Sequence, residues 1–447
     1  MQATDMAGDK FQCIPRWHTY PLRHIHLTLS LVLSASTSMR ATSRVSEIMF
    51  KSLGIRQPIP SWYSVRLWLL RLGYYKLTRH KTHAADWIWI IDHTIQCGQE
   101  KCLAILGIRQ SKLPEAETTL YHEDVEPLAL YPVKSSNGDV VYQQLKKTVA
   151  ITGVPRQIIA DGGTDIQAGL RRFFADYPQT CFIYDIKHKA AAVLKRQLNA
   201  NSAWSDFAKR ASSAGKQLQQ TNMAALAPPS QRSKSRYMNA DRLVKWAHET
   251  LVFMDQQSES PSSQYDKQSL KTKLGWINDY RIQIAQWREL IQIVESAVGF
   301  IRWHGFYRNC QADLIQDPAF DAHFPPAKSA REELLRFIKT ESKKAKPRER
   351  LLGSSEVIES VFGKLKYIEN DQSKSGFTVL LLSLAAAVSE TTMGVVQKAL
   401  ESVPTKKVSQ WFKDNVGQSV QSKRKEVKKI AREAEQFWDY DCYGTFN

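Results

Sequence analysis

Three acidic side chains stand where a carboxylate is expensive to keep. Asp92 ends the run Trp87-Ile88-Trp89-Ile90-Ile91-Asp92. Asp161 closes Ile158-Ile159-Ala160-Asp161 and is followed by Gly162-Gly163. Glu359 lies in Ile358-Glu359-Ser360-Val361-Phe362-Gly363-Lys364-Leu365-Lys366. A charge at the end of a buried strand is taken out of water and must be paired or bound to a metal. Three carboxylates converging on one point would make a hard, all-oxygen site suited to Mg²⁺ or Mn²⁺. The chemistry of such a site is phosphoryl transfer. Any one buried aspartate alone says little, since many simply accept backbone N–H groups.

The surrounding sequence supplies elements to carry these residues. Trp87–Ile95 and Lys101–Ile108 are expected strands around the turn Cys97-Gly98-Gln99, and Leu128–Val133 is a weaker third. Val141, Leu145 and Val149 give helical spacing from Val140 to Ile151, ending near Gly153. Gln157–Asp161 is a short buried strand, Asp165–Tyr177 a helix, Cys181–Ile186 a strand and Lys187–Leu198 a helix. Three strands followed by alternating helices and strands predict a mixed sheet flanked by helices, an α/β fold. A helix over Ser355–Asn370 would bury Val357, Ile358, Val361, Leu365 and Ile368, with Glu359 and Lys366 on a stripe largely opposite. Gly363 would allow another backbone to come close. Asp165 and Glu356 are the neighbouring acids, and both read as helix N-terminal charges.

Before the sheet, Val45, Ile48, Met49 and Leu53 form one helical stripe stopped by Gly54. After Pro58 and Pro60, Ser61 is an N-cap for a second helix burying Trp62, Val65, Trp68, Leu69 and Leu72. Its other face would show Tyr63, Ser64, Arg66 and Arg71, followed by the basic residues Lys76, Arg79, His80 and Lys81. That is helix-turn-helix logic, with the second helix reading a DNA groove. A packed pair of helices with ordinary surface arginines is the plainer reading. Leu27–Leu33 resembles a short signal core, but it begins late and Asp5 and Asp9 spoil a basic leader, so an extension or disordered arm is expected, with Met39 as an alternative start.

From Asn201 to Arg350 strand signals vanish. Loops are expected at Ala227-Pro228-Pro229-Ser230 and Ser258–Ser263, and Trp246, Trp276, Trp287 and Trp303 punctuate helical stretches. These tryptophans would stack on flipped bases or, more simply, form the core of the insertion. Phe377–Val388 is apolar but short of the ~20 residues a membrane helix needs, so a buried helix is expected. The tail from Thr405 to Ala434 is rich in lysine. The expected divisions are 1–40, an extension; 41–85, helix-turn-helix-like; 86–200, the first part of a catalytic core; 201–350, a helical insertion; 351–400, the core's second part; and 401–447, a basic helical tail.

Lys and Arg number 62 against 44 Asp and Glu, a formal charge of +18 over 447 residues. Such a balance predicts attraction to a polyanion, nucleic acid first. The six cysteines form no C-x-x-C pair, which argues against a zinc knuckle or a disulfide framework and for a reducing, intracellular setting.

At this point the residues resemble the DDE transposases, whose catalytic core is ribonuclease-H-like. The run Glu359-Ser360-x-Phe362-x-x-Leu365-Lys366 is similar to the third-acid signature of bacterial insertion-sequence transposases, in which the basic residue seven positions on contacts DNA. Leu170-x-x-Phe173-Phe174-x-x-Tyr177-Pro178 and then Asp185-Ile186-Lys187-His188 look like the C/D-x-x-H motif of Mutator-type and hAT-type enzymes. The long stretch between Asp161 and Glu359 is likewise similar to those groups. The resemblance covers roughly Trp87 to Ala200 and Ser354 to Val388.

The resemblance implies two Mg²⁺ (or Mn²⁺) ions about 3.5–4 Å apart, bridged by Asp92, with Asp161 and Glu359 each completing one. Water attack would free a 3′-OH at each transposon end, and that 3′-OH would attack target DNA. Asp185, His188 and Lys366 would support the reaction, Lys366 also touching the DNA backbone. The implied partners are double-stranded DNA and further copies of the chain, a dimer or higher, with no membrane; the setting would be the nucleoid of a prokaryote or the nucleus of a eukaryote. The alternatives are a ribonuclease-H-like nuclease or resolvase that cuts without joining, and a transposase-derived DNA-binding regulator. A serine or tyrosine recombinase is disfavoured, because no nucleophile sits in an arginine-rich setting.

Overall fold

The near-continuous apolar run at Trp87 can be buried on both faces only inside a sheet, and a computed structural model of the chain puts it there. The structure describes residues 13–97, 100–114, 117–230, 237, 239–259, 265–370, 380–417 and 424–434. They belong to two compact units: one drawn from Met1–Leu113, Leu120–Cys181 and Ser355–Asn447, the other from Pro114–Thr119 and Phe182–Ser354.

The fold is mixed α/β. Five strands, β1 (Trp87–Cys97), β2 (Glu100–Arg109), β3 (Glu126–Val133), β4 (Gln157–Ala160) and β5 (Cys181–Tyr184), form one sheet in the order β3-β2-β1-β4-β5. β1 pairs antiparallel with β2 from Trp87↔Arg109 to Thr94↔Cys102, and β2 pairs antiparallel with β3. β4 joins the other edge of β1 in parallel, from Ile88↔Gln157 to Ile91↔Ala160. A parallel neighbour requires a crossover, which here contains a helix. The expected strands therefore stand, β1 reaching further than its apolar run. Of the expected turn, Gly98 and Gln99 lie outside the described residues.

In the first unit the helices are α1 (Leu22–Leu33), α2 (Met39–Ser52), α3 (Trp62–Thr78), α4 (Gly138–Thr152) and α5 (Thr164–Asp176). After the second unit come α13 (Glu356–Asn370), α14 (Leu381–Ala386), α15 (Met393–Ser402) and α16 (Thr405–Asn415). Ser61 caps α3 as expected, accepting the Ser64 N–H at 3.2 Å. Asn137 caps α4 in the same way at 3.0 Å. The Phe377–Val388 helix is reduced to α14, all of whose side chains are buried; residues 377–379 lie outside the described set.

Two expectations about the N-terminal region are corrected. Residues 22–33 are not an unstructured arm. Leu22, Ile25, Leu29 and Val32 recur at helical spacing and are buried, with α1 packed on α2, α3 and α15. Nor does α3 stand free as a reading helix. It packs on α14, α15, α16 and β3, where Leu70 meets Leu382, Val403 and Val408. The connection at residues 53–61 is also longer than the ~3–4-residue turn of a helix-turn-helix.

One glycine makes the α3–α14 contact possible. A Cβ at Gly73 would overlap the Leu382 carbonyl oxygen and lie 2.8 Å from its carbon. Because the obstacle is backbone, no rotamer relieves it. Gly73→Ala is expected to destabilise the protein by about 3 kcal/mol or more, measured by chemical denaturation; a loss within ~0.5 kcal/mol would mean the two helices are not so closely apposed.

The second unit holds α6 (Ile186–Asn199), α7 (Ser202–Leu218), α8 (Ala240–Glu259), α9 (Lys267–Leu274), α10 (Arg281–His304), α11 (Cys310–Ile315) and α12 (Pro325–Ser342). Of the loop expected at 258–263, residues 258 and 259 end α8 and residues 260–263 lie outside the described set. The long helix α10 packs on α6, α8 and α12. Trp204, Phe207, Trp276, Tyr280 and Trp287 form one aromatic cluster, with Trp204 and Trp287 edge to face at 5.0 Å. Trp287 is 1% exposed and core; Trp246, partly exposed, donates its Nε1 to the Leu226 carbonyl at 3.0 Å. Trp303 differs, at 52% exposed. Among the described residues no helix is long and apolar enough to cross a membrane.

Candidate functional site

The parallel register decides where the first two acids fall. Ile91 pairs with Ala160, so Asp92 and Asp161 follow at the same level on neighbouring strands. Asp92 Oδ1 accepts the His93 N–H at 2.7 Å, and Asp161 Oδ1 accepts the Gly163 N–H at 3.0 Å. Both residues are partly exposed, Asp92 midway along β1 and Asp161 directly after β4. Side-chain alternation separates the faces of β1. Trp89 meets Phe173 of α5 with ring centroids 5.9 Å apart, so Trp89, Ile91 and His93 share the α5 side and Asp92 projects from the other.

Glu359 lies in the first turn of α13, which packs against β1. Val357, Ile358, Val361, Phe362, Leu365 and Ile368 are buried, while Glu359 is partly exposed and Lys366 exposed, as the helical stripe required. The three acids thus belong to one unit and to adjoining elements. Among the described residues no group of three His, Cys, Asp or Glu side chains is gathered as a ready-made metal site. The donor set still suits a hard divalent ion: Asp92 and Asp161 are oxygen donors at the same level of neighbouring segments, and Gly163 leaves room beside Asp161. A Cβ at Gly163 would stand 3.2 Å from Asp161 Oδ1 and 3.4 Å from Asp165 Oδ1.

That geometry brings in residues the sequence reading passed over. Asp165 Oδ2 lies 3.7 Å from both His93 Nδ1 and Lys101 Nζ, and His93 Nε2 is 3.3 Å from Ser136 Oγ. Burial pushes the His93 pKa down, Lys101 acts in the same direction, and Asp165 and Asp161 oppose it. Burial works to raise the Asp165 carboxyl, but Ser136, His93, the Ile166 N–H and Lys101 outweigh it and hold the pKa below its ordinary value. Asp165 is a helix N-terminal charge, as expected, and also the centre of an ionic cluster beside Asp161. His93 directly follows Asp92, which was the available signal; the distant Lys101 and Ser136 gave none.

Asp185 and His188 lie at the start of α6, in the second unit. Asp185 is buried and caps that helix, its Oδ1 accepting the His188 N–H at 2.9 Å.

Four of the expected DNA-reading cations, Arg71, Lys76, Arg79 and Lys81, are engaged by other parts of the protein, which corrects that part of the site. Lys76 is 0% exposed, and its Nζ donates to the carbonyls of Ala386 (3.1 Å), Val388 (2.7 Å) and Ser389 (2.9 Å) and to Thr391 Oγ1 (2.7 Å). Burial pushes its pKa down to about 7, with Arg79 and Lys81 pushing the same way and Glu390 opposing. Arg71 donates to the Leu400 and Val403 carbonyls and lies 3.0 Å from His18 Nε2. Arg79 and the buried Lys81 pair with Glu126 at 3.2 and 2.9 Å. A lysine at a helical core position reads as surface only until its acceptors, three hundred residues away, are known. Of the expected set, Tyr63 is exposed and Ser64 and Arg66 partly so.

The chain matches no protein-family model and no curated protein.

Proposed function

We propose that this protein is a DNA-cleaving phosphoryl-transfer enzyme of the DDE transposase kind, with Asp92, Asp161 and Glu359 as its catalytic carboxylates. The observation that carries the reading is the parallel β1–β4 register, which sets Asp161, just past the end of β4, level with Asp92 on β1, with Glu359 on a helix packed against β1. An antiparallel three-stranded meander extended by β4 and β5 beyond β1 also supports a ribonuclease-H-like core. Mg²⁺ or Mn²⁺ held by these three side chains would supply Lewis-acid activation of the attacking and leaving oxygens. The protein's own contribution is to fix the carboxylates on rigid elements and to hold the strand. Exposed Lys366, two turns along α13 from Glu359, is the group to meet a phosphate.

The test uses the purified full-length chain on supercoiled plasmid with Mn²⁺, against EDTA. Metal-dependent nicking supports the reading, and its absence at every metal concentration sinks it. Joining is tested separately, with a labelled 3′-OH oligonucleotide and circular target DNA. This matters because one observation favours an enzyme that cuts without joining: Arg71, Lys76 and Arg79, which suggested a dedicated DNA-reading helix, are engaged inside the protein.

The net charge of +18 supports a broad electrostatic footprint. DNA affinity is expected to fall on the order of 10³-fold between about 50 and 200 mM salt, as for a protein neutralising several phosphates. Binding titrations at four salt concentrations check this. A flat dependence would remove backbone contacts as the source of affinity.

A further inference from the structure

The helix carrying Glu359 is gripped by one imidazole. His122, in the segment between β2 and β3, places Nε2 3.0 Å from Ser360 Oγ and Nδ1 3.2 Å from Lys364 Nζ. An ammonium group only donates, so Nδ1 must be the acceptor. The proton then sits on Nε2, which donates to Ser360 Oγ. A neutral ring in a single tautomer therefore spans two residues one turn apart on α13, the first of them next to Glu359. Burial, and then Lys364, push the His122 pKa down, with Glu123 opposing, in keeping with the neutral form this arrangement needs.

The imidazole is itself anchored. The His122 carbonyl accepts the Ser389 N–H at 2.7 Å. Ser389 belongs to the 386–391 segment held by the ammonium of Lys76. A continuous set of hydrogen bonds thus runs from α3, through that segment and His122, to Ser360 and Lys364, which follow the candidate catalytic residue on α13. Apolar packing holds the opposite face of α13. A cavity of about 780 Å³ opens beside His122 and Lys364, and a Cβ at Gly363 would meet nothing within 4 Å.

We propose that His122 is a positioning residue for Glu359, setting the rotation and depth of α13 through Ser360 and Lys364; the role rests on the reading of Glu359 as a catalytic carboxylate. The ring touches no reacting atom, and its work is to hold the helix.

The experiment compares full-length wild type, His122→Ala, His122→Gln and Ser360→Ala. Glutamine can accept from Lys364 and donate to Ser360, so it is the rescuing variant, while Ser360→Ala removes one arm at an exposed position that folding tolerates. Hydrogen exchange of the 356–366 peptide is read against that of β1, together with kcat and KM for Mn²⁺-dependent plasmid nicking. His122→Ala is expected to speed exchange in 356–366 at least about tenfold with β1 unchanged. It should lower kcat by about 10–100-fold, as loss of an outer hydrogen-bonding partner does, leaving KM within about twofold. His122→Gln should restore both, and Ser360→Ala should fall between. Unchanged exchange in 356–366, or unchanged kcat, overturns the proposal. Wild type that never nicks DNA removes the catalytic reading and the positioning role with it, whereas exchange still decides whether His122 grips the helix.

Discussion

Asp92→Asn, Asp161→Asn and Glu359→Gln will each lower Mn²⁺-dependent strand cleavage by at least about 10³-fold, the scale on which loss of a group acting on the reacting centre is felt. The amides are chosen because they keep the shape and the acceptor oxygen of each carboxylate. In Asp92→Asn the amide oxygen can still accept the His93 N–H, and in Asp161→Asn the Gly163 N–H, so the local backbone keeps its hydrogen bonds. What is lost is the negative charge a hard cation requires. DNA affinity should stay within about twofold, because phosphate contacts come from cations that these changes leave alone. Glu356→Gln and Asp165→Asn are the necessary comparisons. Glu356 shares the first turn of α13, and Asp165 sits beside Asp161. If Glu356→Gln abolishes nicking while Glu359→Gln does not, the third carboxylate has been misassigned. Full activity in Asp92→Asn would dismantle the site altogether, since β1 is the strand that β4 and α13 both adjoin.

Lys76→Met is expected to cost about 3 kcal/mol or more of stability. Methionine fills the same slot in α3 but offers no proton to the Ala386, Val388 and Ser389 carbonyls or to Thr391. Each buried carbonyl left without a donor costs about 1–3 kcal/mol, against a smaller gain from no longer burying a cation. The sign of the pH dependence follows from the depressed pKa. In the unfolded chain Lys76 takes up its proton near 10.5, and in the fold only near 7. Between those values the unfolded chain binds more protons, so the contribution of Lys76 to wild-type stability grows as pH rises from 7 towards 10.5 and is lost as pH falls through 7. Denaturation of wild type and Lys76→Met at pH 7 and 9.5 should show the gap between them widening at the higher pH. A gap that stays constant instead would mean that the three carbonyls hold the lysine protonated across this range.

The sheet was legible because its strands are runs that no amphipathic helix would produce. Trp87 to Ile91 and Ile158 to Ala160 are apolar at every position, whereas Val141, Leu145 and Val149 are spaced for one helical face. The same logic found α13 and its buried stripe. It failed at α1, where an extension or disordered arm was expected, because residues that cover it, in and just before α15, are some 365 positions away, as in the His26 Nε2 to Thr391 carbonyl contact. It failed again at Arg71 and Lys76, since a cation whose partners are backbone carbonyls leaves no complementary residue type to detect. His122 carried no signal for a related reason. It lies in an aperiodic segment, and the serine and lysine it joins look like ordinary surface residues of an amphipathic helix.

The arrangement of α3 has a consequence for how the protein is made. Lys76 and its first acceptor, Ala386, are separated by 310 positions. At a synthesis rate of about 5–20 residues per second, α3 waits roughly 15–60 s before the acceptors of Lys76 leave the ribosome. Throughout that interval Leu70 lacks Leu382 and Val403, so the nascent chain carries an uncovered apolar face. Holding chaperones should therefore engage the first eighty residues for most of translation. A chain that terminates before residue 380 lacks α14, α15 and α16, on which α3 packs, and the anchor of His122, even if every candidate catalytic carboxylate has already been made.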